Sequence, residues 1–406
     1  MDPVHNPYAP GAGYPPPELA GRDKLREQAR ISLARLRAGR AAKSLMLVGL
    51  RGVGKTVLLD QLRLDADAEG ICTVRSETPE NRSLPAVLAP QLRLALLHLN
   101  RTEAAKDAVL KGLRALAGFA RGLKVKYHDL EVGLDAIPEP GLADNGDLEI
   151  DLTALLEQTG RAAQSANTAV VLFIDELQYV QQDQFAALIA ALHRCAQGKL
   201  PVTIVGAGLP QLRALAGEAK SYAERLFEFA TIGPLSTEKA AGQVMSDAEQ
   251  ALLKPALDNG VDITADAVAE ILRQTQGYPY FLQEWGKSSW DVATGSPITL
   301  EDVKQASLEA VAALDESFFR VRFDRLTLKE KRYLRAMAEL GAGPHRSGDI
   351  AGVLGKAVYS FGSIRQELIE KGMIWSPSHG ETAFTVPLFD KFMQRILPGQ
   401  DWRNEN

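Results

Sequence analysis

At 406 residues the chain is too long for one compact core, so two or three domains are expected. Its 46% hydrophobic and 24% charged residues are ordinary for a water-soluble protein, and a net charge of −5 excludes whole-molecule attraction to nucleic acid, leaving only a local patch for such contact. Only Cys72 and Cys195 are present, which excludes a disulfide framework and a cysteine-rich zinc site, and no apolar run approaches the roughly 20 residues that span a bilayer.

Residues 1–20 hold six prolines among several glycines and predict a flexible, extended lead-in rather than a helix. They carry neither the basic nor the apolar region of a signal peptide, so a cytoplasmic location without membrane contact is expected. From Gly21 to Arg40, Leu25, Ile31, Leu33 and Leu36 predict an amphipathic helix with a basic outer face. Ser44 to Leu50 (SLMLVGL) then reads as a buried strand. It runs into GLRGVGKT, Gly49 to Thr56, which fits G-x-x-x-x-G-K-[ST]. Val57, Leu58, Leu62 and Leu64 follow at helical spacing, with Gly70 as the stop.

A strand, a glycine-rich turn and a helix in that order make an anion cradle, because backbone N–H groups and the helix dipole converge on phosphate oxygens. The expected nucleotide contacts are Gly49, Leu50, Arg51, Gly52, Val53, Gly54, Lys55, Thr56 and Val57. Lys55 would reach the β- and γ-phosphates and the Thr56 hydroxyl would ligate Mg²⁺, so ATP and Mg²⁺ are the expected ligands.

Ile71 to Glu77 reads as a strand, and Leu84 to about Leu116 as one long helical stretch. Leu123 to Ile150 alternates polar and apolar residues and breaks at Pro138, Pro140 and Gly141, which predicts an inserted β-ribbon and loop. A helix from Leu152 to Ala166 leads to Val170–Ile174, five apolar residues followed by Asp175 and Glu176. Beside a phosphate turn, Asp175 would hold Mg²⁺ directly or through water, and Glu176 would polarise the attacking water as general base. Alone, such an acidic pair also opens ordinary helices. Its company here, the phosphate turn, favours the catalytic reading. Pro201 to Gly208 (PVTIVGAG) forms a further strand. Strands alternating with helices imply an α/β fold with a three-layer, mostly parallel P-loop sheet.

From Pro234 to about Ala313 the strand signal gives way to helices, with Thr264 and Thr299 as candidate N-caps. From Leu326 the rhythm changes to three helices, Leu326–Gly341, His345–Gly355 and Lys356–Gly372, and then a hairpin from Met373 to Val386 around His379–Gly380. The expected domains are the flexible lead-in 1–20, an ATPase core 21–233, a helical lid 234–318 and a C-terminal domain 319–406.

With these motifs in place, Leu19 to Ala313 resembles the AAA+ ATPases of the initiator-like branch, those akin to origin-recognition proteins, and is similar to the related STAND signalling ATPases. The resemblance implies that ELAGRDKL, Glu18 to Leu25, is the family's box against the adenine ring, with Gly21 and Arg22 as nucleotide contacts. It implies that SYAERLFEF, Ser221 to Phe229, carries an arginine finger, Arg225, acting in a neighbouring subunit's site and hence self-association. Two departures stand out. The strand VTIVGAG has no Asn or Asp at its tip, its one polar residue being Thr203. QGYPYFLQ, Gln276 to Gln283, resembles the G-x-P element of STAND ATPases, which makes Gly277 and Pro279 candidate base contacts in place of a second sensor arginine. Slow hydrolysis or a nucleotide-gated switch is the expectation.

The C-terminal rhythm resembles a winged helix-turn-helix domain, whose third helix would lie in the major groove of DNA. Tyr359, Ser360, Ser363, Arg365 and Gln366 occupy its outer positions, and Lys356, Lys371 and His379 would reach phosphate. From Leu326 onward 11 Lys/Arg face 9 Asp/Glu, and Glu367 and Glu370 sit on the recognition helix, so docking of a protein partner stands beside DNA. The scattered histidines form no zinc set and no G-x-S-x-G turn occurs. The expected function is an ATPase that hydrolyses ATP slowly to control assembly on, or action upon, DNA. The alternative is a STAND-like switch whose winged helix docks proteins, and a third reading is a helper of a partner encoded elsewhere.

Overall fold

The computed structural model describes residues 1–11, 13–100, 103–124, 137–399 and 401–403. They divide into two compact units, one comprising residues 22–49 and 55–231 and the other residues 1–21, 50–54 and 232–406.

The first unit is an α/β sandwich. Its strands are β1 (Ser44–Val48), β2 (Cys72–Glu77), β3 (Val170–Asp175), β4 (Val202–Gly208) and β5 (Phe227–Thr231), in the spatial order β2-β3-β4-β1-β5 and parallel at every pairing. Every residue of β1, β3 and β4 is buried. That is why they read as continuous apolar runs, since a parallel strand covered by helices on both faces has no polar side. The edge strand β2 alternates buried and half-buried positions. The helices are α1 (Asp23–Arg37), α2 (Lys55–Ala68), α3 (Leu84–Leu99), α4 (Lys106–Leu123), α5 (Leu148–Ser165), α6 (Gln182–Gln197), α7 (Leu212–Ala219) and the single turn α8 (Ala223–Leu226).

Three expectations change here. The long helix read from Leu84 is two helices, α3 and α4, with Asn100 capping the first and a short 3₁₀ turn at Glu103–Ala105 before the second. Strand β5 was not expected. Its sequence FEFAT is short and half-exposed, and pairing with β1 rather than local pattern makes it a strand. Ile31 and Leu64, read as core positions, are 47% and 51% exposed. Most of the β-ribbon expected between Leu123 and Ile150 lies outside the described residues. Its described end, 137–147, is loop leading to Asp147, whose carboxylate caps α5 by accepting from the Ile150 N–H.

The second unit holds α9 (Asp247–Asp258), α10 (Ala265–Thr275), α11 (Pro279–Val292), α12 (Leu300–Leu314), α13 (Arg320–Phe323), α14 (Leu328–Leu340), α15 (Ser347–Leu354), α16 (Gly362–Glu370) and α17 (Phe389–Ile396). Short strands β6 (His345–Arg346), β7 (Ile374–Trp375) and β8 (Glu381–Phe384) form an antiparallel sheet in the order β6-β8-β7. Both Thr299 and Thr327 open their helices with capping boxes, paired with Asp302 and Glu330. Thr264 is an N-cap by position, but its hydroxyl bonds Asp266 instead of the backbone.

One hydrophobic cluster runs through this whole unit, from Tyr8 and Trp285 through Phe281, Phe318 and Phe319 to Tyr333, Phe389 and Phe392. Phe319 stacks on Phe392 at 5.2 Å and meets Phe318 edge-on at 5.2 Å. The boundary expected between residues 318 and 319 therefore falls inside packed aromatics. The lead-in expected to be flexible is also packed. Tyr8 is 4% exposed, its hydroxyl donates to the Leu252 carbonyl, and the Trp290 indole N–H donates to the Asp2 carbonyl at 3.0 Å. Prolines limit this segment to one 3₁₀ turn, Pro3–His5, and it is held down by Tyr8 together with bonds such as that from the Asn6 amide to Asp291 at 2.8 Å.

Candidate functional site

The carboxyl ends of β1 and β3 carry the residues singled out by sequence. Ligands of open α/β sheets bind at this edge, where crossovers leave a crevice and helix N-termini point inward. Gly49 follows β1, and its N–H donates to the Gly208 carbonyl at the tip of β4 (3.2 Å). The turn continues through Gly52 and Gly54, both with left-handed φ (77° and 85°), into α2, which begins at Lys55. Within the turn, the Arg51 N–H donates to the Thr385 carbonyl at 2.9 Å and the Gly52 carbonyl accepts from the Tyr280 N–H at 3.2 Å. Leu50 and Val53 lie between half-buried and buried, and Val57 is half-buried on the first turn of α2.

Lys55 is 7% exposed, an unusual burial for a lysine. The Thr56 hydroxyl donates to Asp175 Oδ2 at 2.7 Å. That bond brings together two hard oxygen donors from β3 and α2, and they fit Mg²⁺, which takes oxygen ligands and retains waters. Asp175, 2% exposed, accepts the Glu176 N–H on its other oxygen at 2.8 Å.

Glu176 adopts φ 55°, ψ 35°, a left-handed conformation that costs a non-glycine residue about 1 kcal/mol or more. Thr78, just beyond β2, holds it there. Its hydroxyl donates to the carbonyls of Asp175 (2.9 Å) and Glu176 (2.8 Å), while its N–H donates to the Asp175 carbonyl at 3.2 Å. The Glu176 carboxylate in turn accepts from the Gln178 amide, whose oxygen accepts the Leu209 N–H at 3.0 Å. Arg75 lies near the same acids. Burial works against its charge, but Asp60, bonded at 2.8 Å, together with Asp175 and Glu77, holds its guanidinium above the usual arginine value.

Thr78, Gln178 and Arg75 were not singled out from sequence. Only Gln178, two residues after the acidic pair, carried a local signal. Thr203, the polar residue of β4, bonds Ser44 at 2.8 Å near the start of both strands, away from the tip.

The remaining candidates belong to both units. Arg22 is the N-cap of α1. Arg225 is exposed on α8. In the second unit Gly21 has φ 69°, and a Cβ there would lie 2.5 Å from Asp247 Oδ2. Gly277, φ 73°, accepts the Leu235 N–H on its carbonyl at 2.8 Å, and a side chain at this position would strike the Leu235 carbonyl. Pro279 is the first residue of α11, where its missing N–H costs nothing.

On the C-terminal elements the expected third helix starts six residues late. Val358–Phe361 is a 3₁₀ turn, and α16 begins at Gly362. Lys356, Tyr359, Ser360, Ser363 and His379 are exposed. Arg365 is not an outer residue, because its guanidinium donates to Thr382 Oγ1 (3.0 Å), Ser376 Oγ (2.8 Å) and the Glu381 carbonyl (3.1 Å). Lys371 is likewise engaged, with its ammonium 2.8 Å from both carboxylate oxygens of the buried Glu330.

Residues 18–205 match the AAA ATPase domain family, and residues 316–393 match a domain of unknown function. None of the curated proteins matches this chain. Among solved structures, a Walker-type ATPase of Pyrococcus abyssi is 13% identical with a TM-score of 0.58, over 93% of this chain and 96% of that one. The Aeropyrum pernix Orc1 protein, solved in complex with DNA, is 16% identical over 94% of each chain, with a TM-score of 0.45. The Thermotoga maritima RuvB Holliday junction branch migration motor is 17% identical over 92% and 96%, with a TM-score of 0.43. At these identities the likeness is one of fold, and the first of the three carries it. The domain match, the parallel five-stranded sheet and the Thr56–Asp175 pair agree that the chain carries an AAA-type P-loop ATPase core.

Proposed function

We propose that this protein binds Mg·ATP and hydrolyses it slowly, using the nucleotide state to control its assembly on, or action upon, DNA. The observation that carries the nucleotide reading is the Thr56–Asp175 hydrogen bond beside a backbone-clamped Glu176, all at the carboxyl edge of the sheet. Lys55 and the turn N–H groups would bind the phosphates, and Thr56 and Asp175 would hold Mg²⁺. The metal supplies charge neutralisation between the phosphates. Glu176 would orient the attacking water and take its proton. Gly21, Arg22, Gly277 and Pro279 would border the base. Arg225, exposed on its short helix, would act in the site of a second copy.

The C-terminal elements support a winged-helix reading, with three helices preceding the β7–β8 ribbon and a third strand, β6, beside it. Lys356, Tyr359, Ser360, Ser363 and His379 would then face the duplex. A STAND-like switch that docks proteins is favoured by one observation: the core shared by the helices of 247–314 and the C-terminal elements, which suits a domain held in place more than one that swings onto DNA. The deciding experiment is ATP turnover by the purified chain with and without duplex DNA, beside Lys55→Ala. Turnover that rises with DNA and vanishes in the variant supports the leading reading. Indifference to DNA with retained nucleotide selects the switch, and normal ATP binding by Lys55→Ala refutes the phosphate-turn assignment.

A further inference from the structure

We propose that Gln178 is the positioning residue for Glu176 and ties its carboxylate to the tip of β4, an inference that rests on the ATPase reading above. The amide's orientation is settled by chemistry. The Leu209 N–H can only donate, so the Gln178 atom that meets it at 3.0 Å must be the carbonyl oxygen, which turns the NH₂ group toward the Glu176 carboxylate. Both ends of the side chain are thereby used, one on the reacting residue and one on the neighbouring strand.

The surroundings are built for that tether. Thr78 fixes the Glu176 backbone in its left-handed turn, so the carboxylate's remaining freedom is rotation of its own side chain, and that is what Gln178 removes. Glycines at the end of β4 make the room. A Cβ at Gly208 would lie 2.8 Å from Gln178 Oε1, and a Cβ at Gly206 would lie 2.4 Å from Leu177 Cδ1. The absence of Asn or Asp at this strand tip, puzzling in the sequence, has a physical counterpart. The polar link from β4 to the site comes from Gln178, through the Leu209 backbone, and bare glycines are what let it pass. Movement of the β4 tip would therefore be transmitted to the group that orients the attacking water.

The test uses the full chain. Replacing Gln178 with Leu keeps the volume and removes both hydrogen bonds, and the expected result is a fall in kcat of about 10- to 100-fold, the cost of a group displaced by about 1 Å, with KM and ATP affinity unchanged. The Gly208→Ala methyl would meet the flexible amide end of Gln178 at 2.8 Å and the Leu212 side chain at 3.0 Å, both able to give, so it should reproduce the kcat loss, and the double variant should be no worse than Gln178→Leu alone. Gln178→Asn, polar but one carbon short, should behave like Leu. In the Glu176→Gln background, Gln178→Leu should change nothing further. Amide hydrogen exchange, which needs no nucleotide, should show Leu209 losing protection in Gln178→Leu. Unchanged Leu209 exchange, or lost protection with an unchanged kcat, overturns the inference. A wild-type chain that binds no Mg·ATP overturns the nucleotide reading instead, and the exchange measurement tells the two failures apart.

Discussion

Arg365 offers the sharpest test of how the C-terminal elements are used. Substituting Met retains the apolar stem, which covers half-buried surface, and removes the guanidinium alone. Three hydrogen bonds go with it, to Thr382, Ser376 and the Glu381 carbonyl at 2.8–3.1 Å. A hydrogen bond from a charged donor contributes about 1.5–3 kcal/mol net when buried, but Ser376 is exposed and water can replace the guanidinium there. Thr382 is fully buried, so water cannot replace the guanidinium at that bond. About 1 kcal/mol for each of two bonds and less for the third gives a loss of roughly 2–3 kcal/mol. The assay is urea unfolding followed by the fluorescence of Trp375 on β7, one strand of the ribbon that Arg365 ties down, with duplex affinity measured over a range of salt. The expected outcome is a lower midpoint with an unchanged salt slope for DNA. An unchanged midpoint with a slope reduced by about one would show Arg365 neutralising a phosphate and would refute its assignment to the wing.

Acid should loosen the same region. Burial pushes the Glu330 carboxyl up, yet the Lys371 ammonium and the Thr327 N–H and hydroxyl outweigh it and hold the group below its ordinary 4.5. A depressed folded value means the stabilisation is fully present above about pH 4.5 and is lost as pH falls through the lower folded value. Lys371→Met should weaken that acid dependence, leaving the Thr327 bonds to Glu330, and cost about 2–3 kcal/mol, less than a fully buried pair because Lys371 is partly open to solvent, as read by thermal melts at pH 7 and 4. Tyr8→Ala should cost about 3 kcal/mol and raise hydrogen exchange in α9 and α11; exchange unchanged there would show the lead-in to be an ornament on the surface. Thr56→Ala should leave the fold intact and weaken Mg²⁺-dependent ATP binding, since it would remove one proposed metal ligand but no buried apolar contact; calorimetry with and without Mg²⁺ would check it.

Much of the candidate site was legible in the chain because its signals are local. The phosphate turn is eight consecutive residues with glycines where φ must be positive, and the acid pair ends a run apolar enough to be a doubly covered strand. Thr299, with Asp302 three residues on, announces its helix, whereas the sequence does not show that the Thr264 hydroxyl turns to Asp266. The order β2-β3-β4-β1-β5 was not legible, because hydrogen bonds between strands far apart in sequence decide it. The same reason hid β5, which becomes a strand by pairing with β1.

Side-chain partners were the other hidden layer. Periodicity placed Arg365 and Lys371 on a recognition helix but could not see Thr382 or Glu330 waiting beside them, and it read prolines 1–17 as free chain without knowing that Tyr8 would find a cavity against Gly286. Runs of neighbouring residues were enough to nominate the groups that would bind phosphate and metal, since each motif is short and contiguous. Tertiary structure alone decided which polar groups stay free for function, because a hydrogen bond already made inside the fold is one a partner must break.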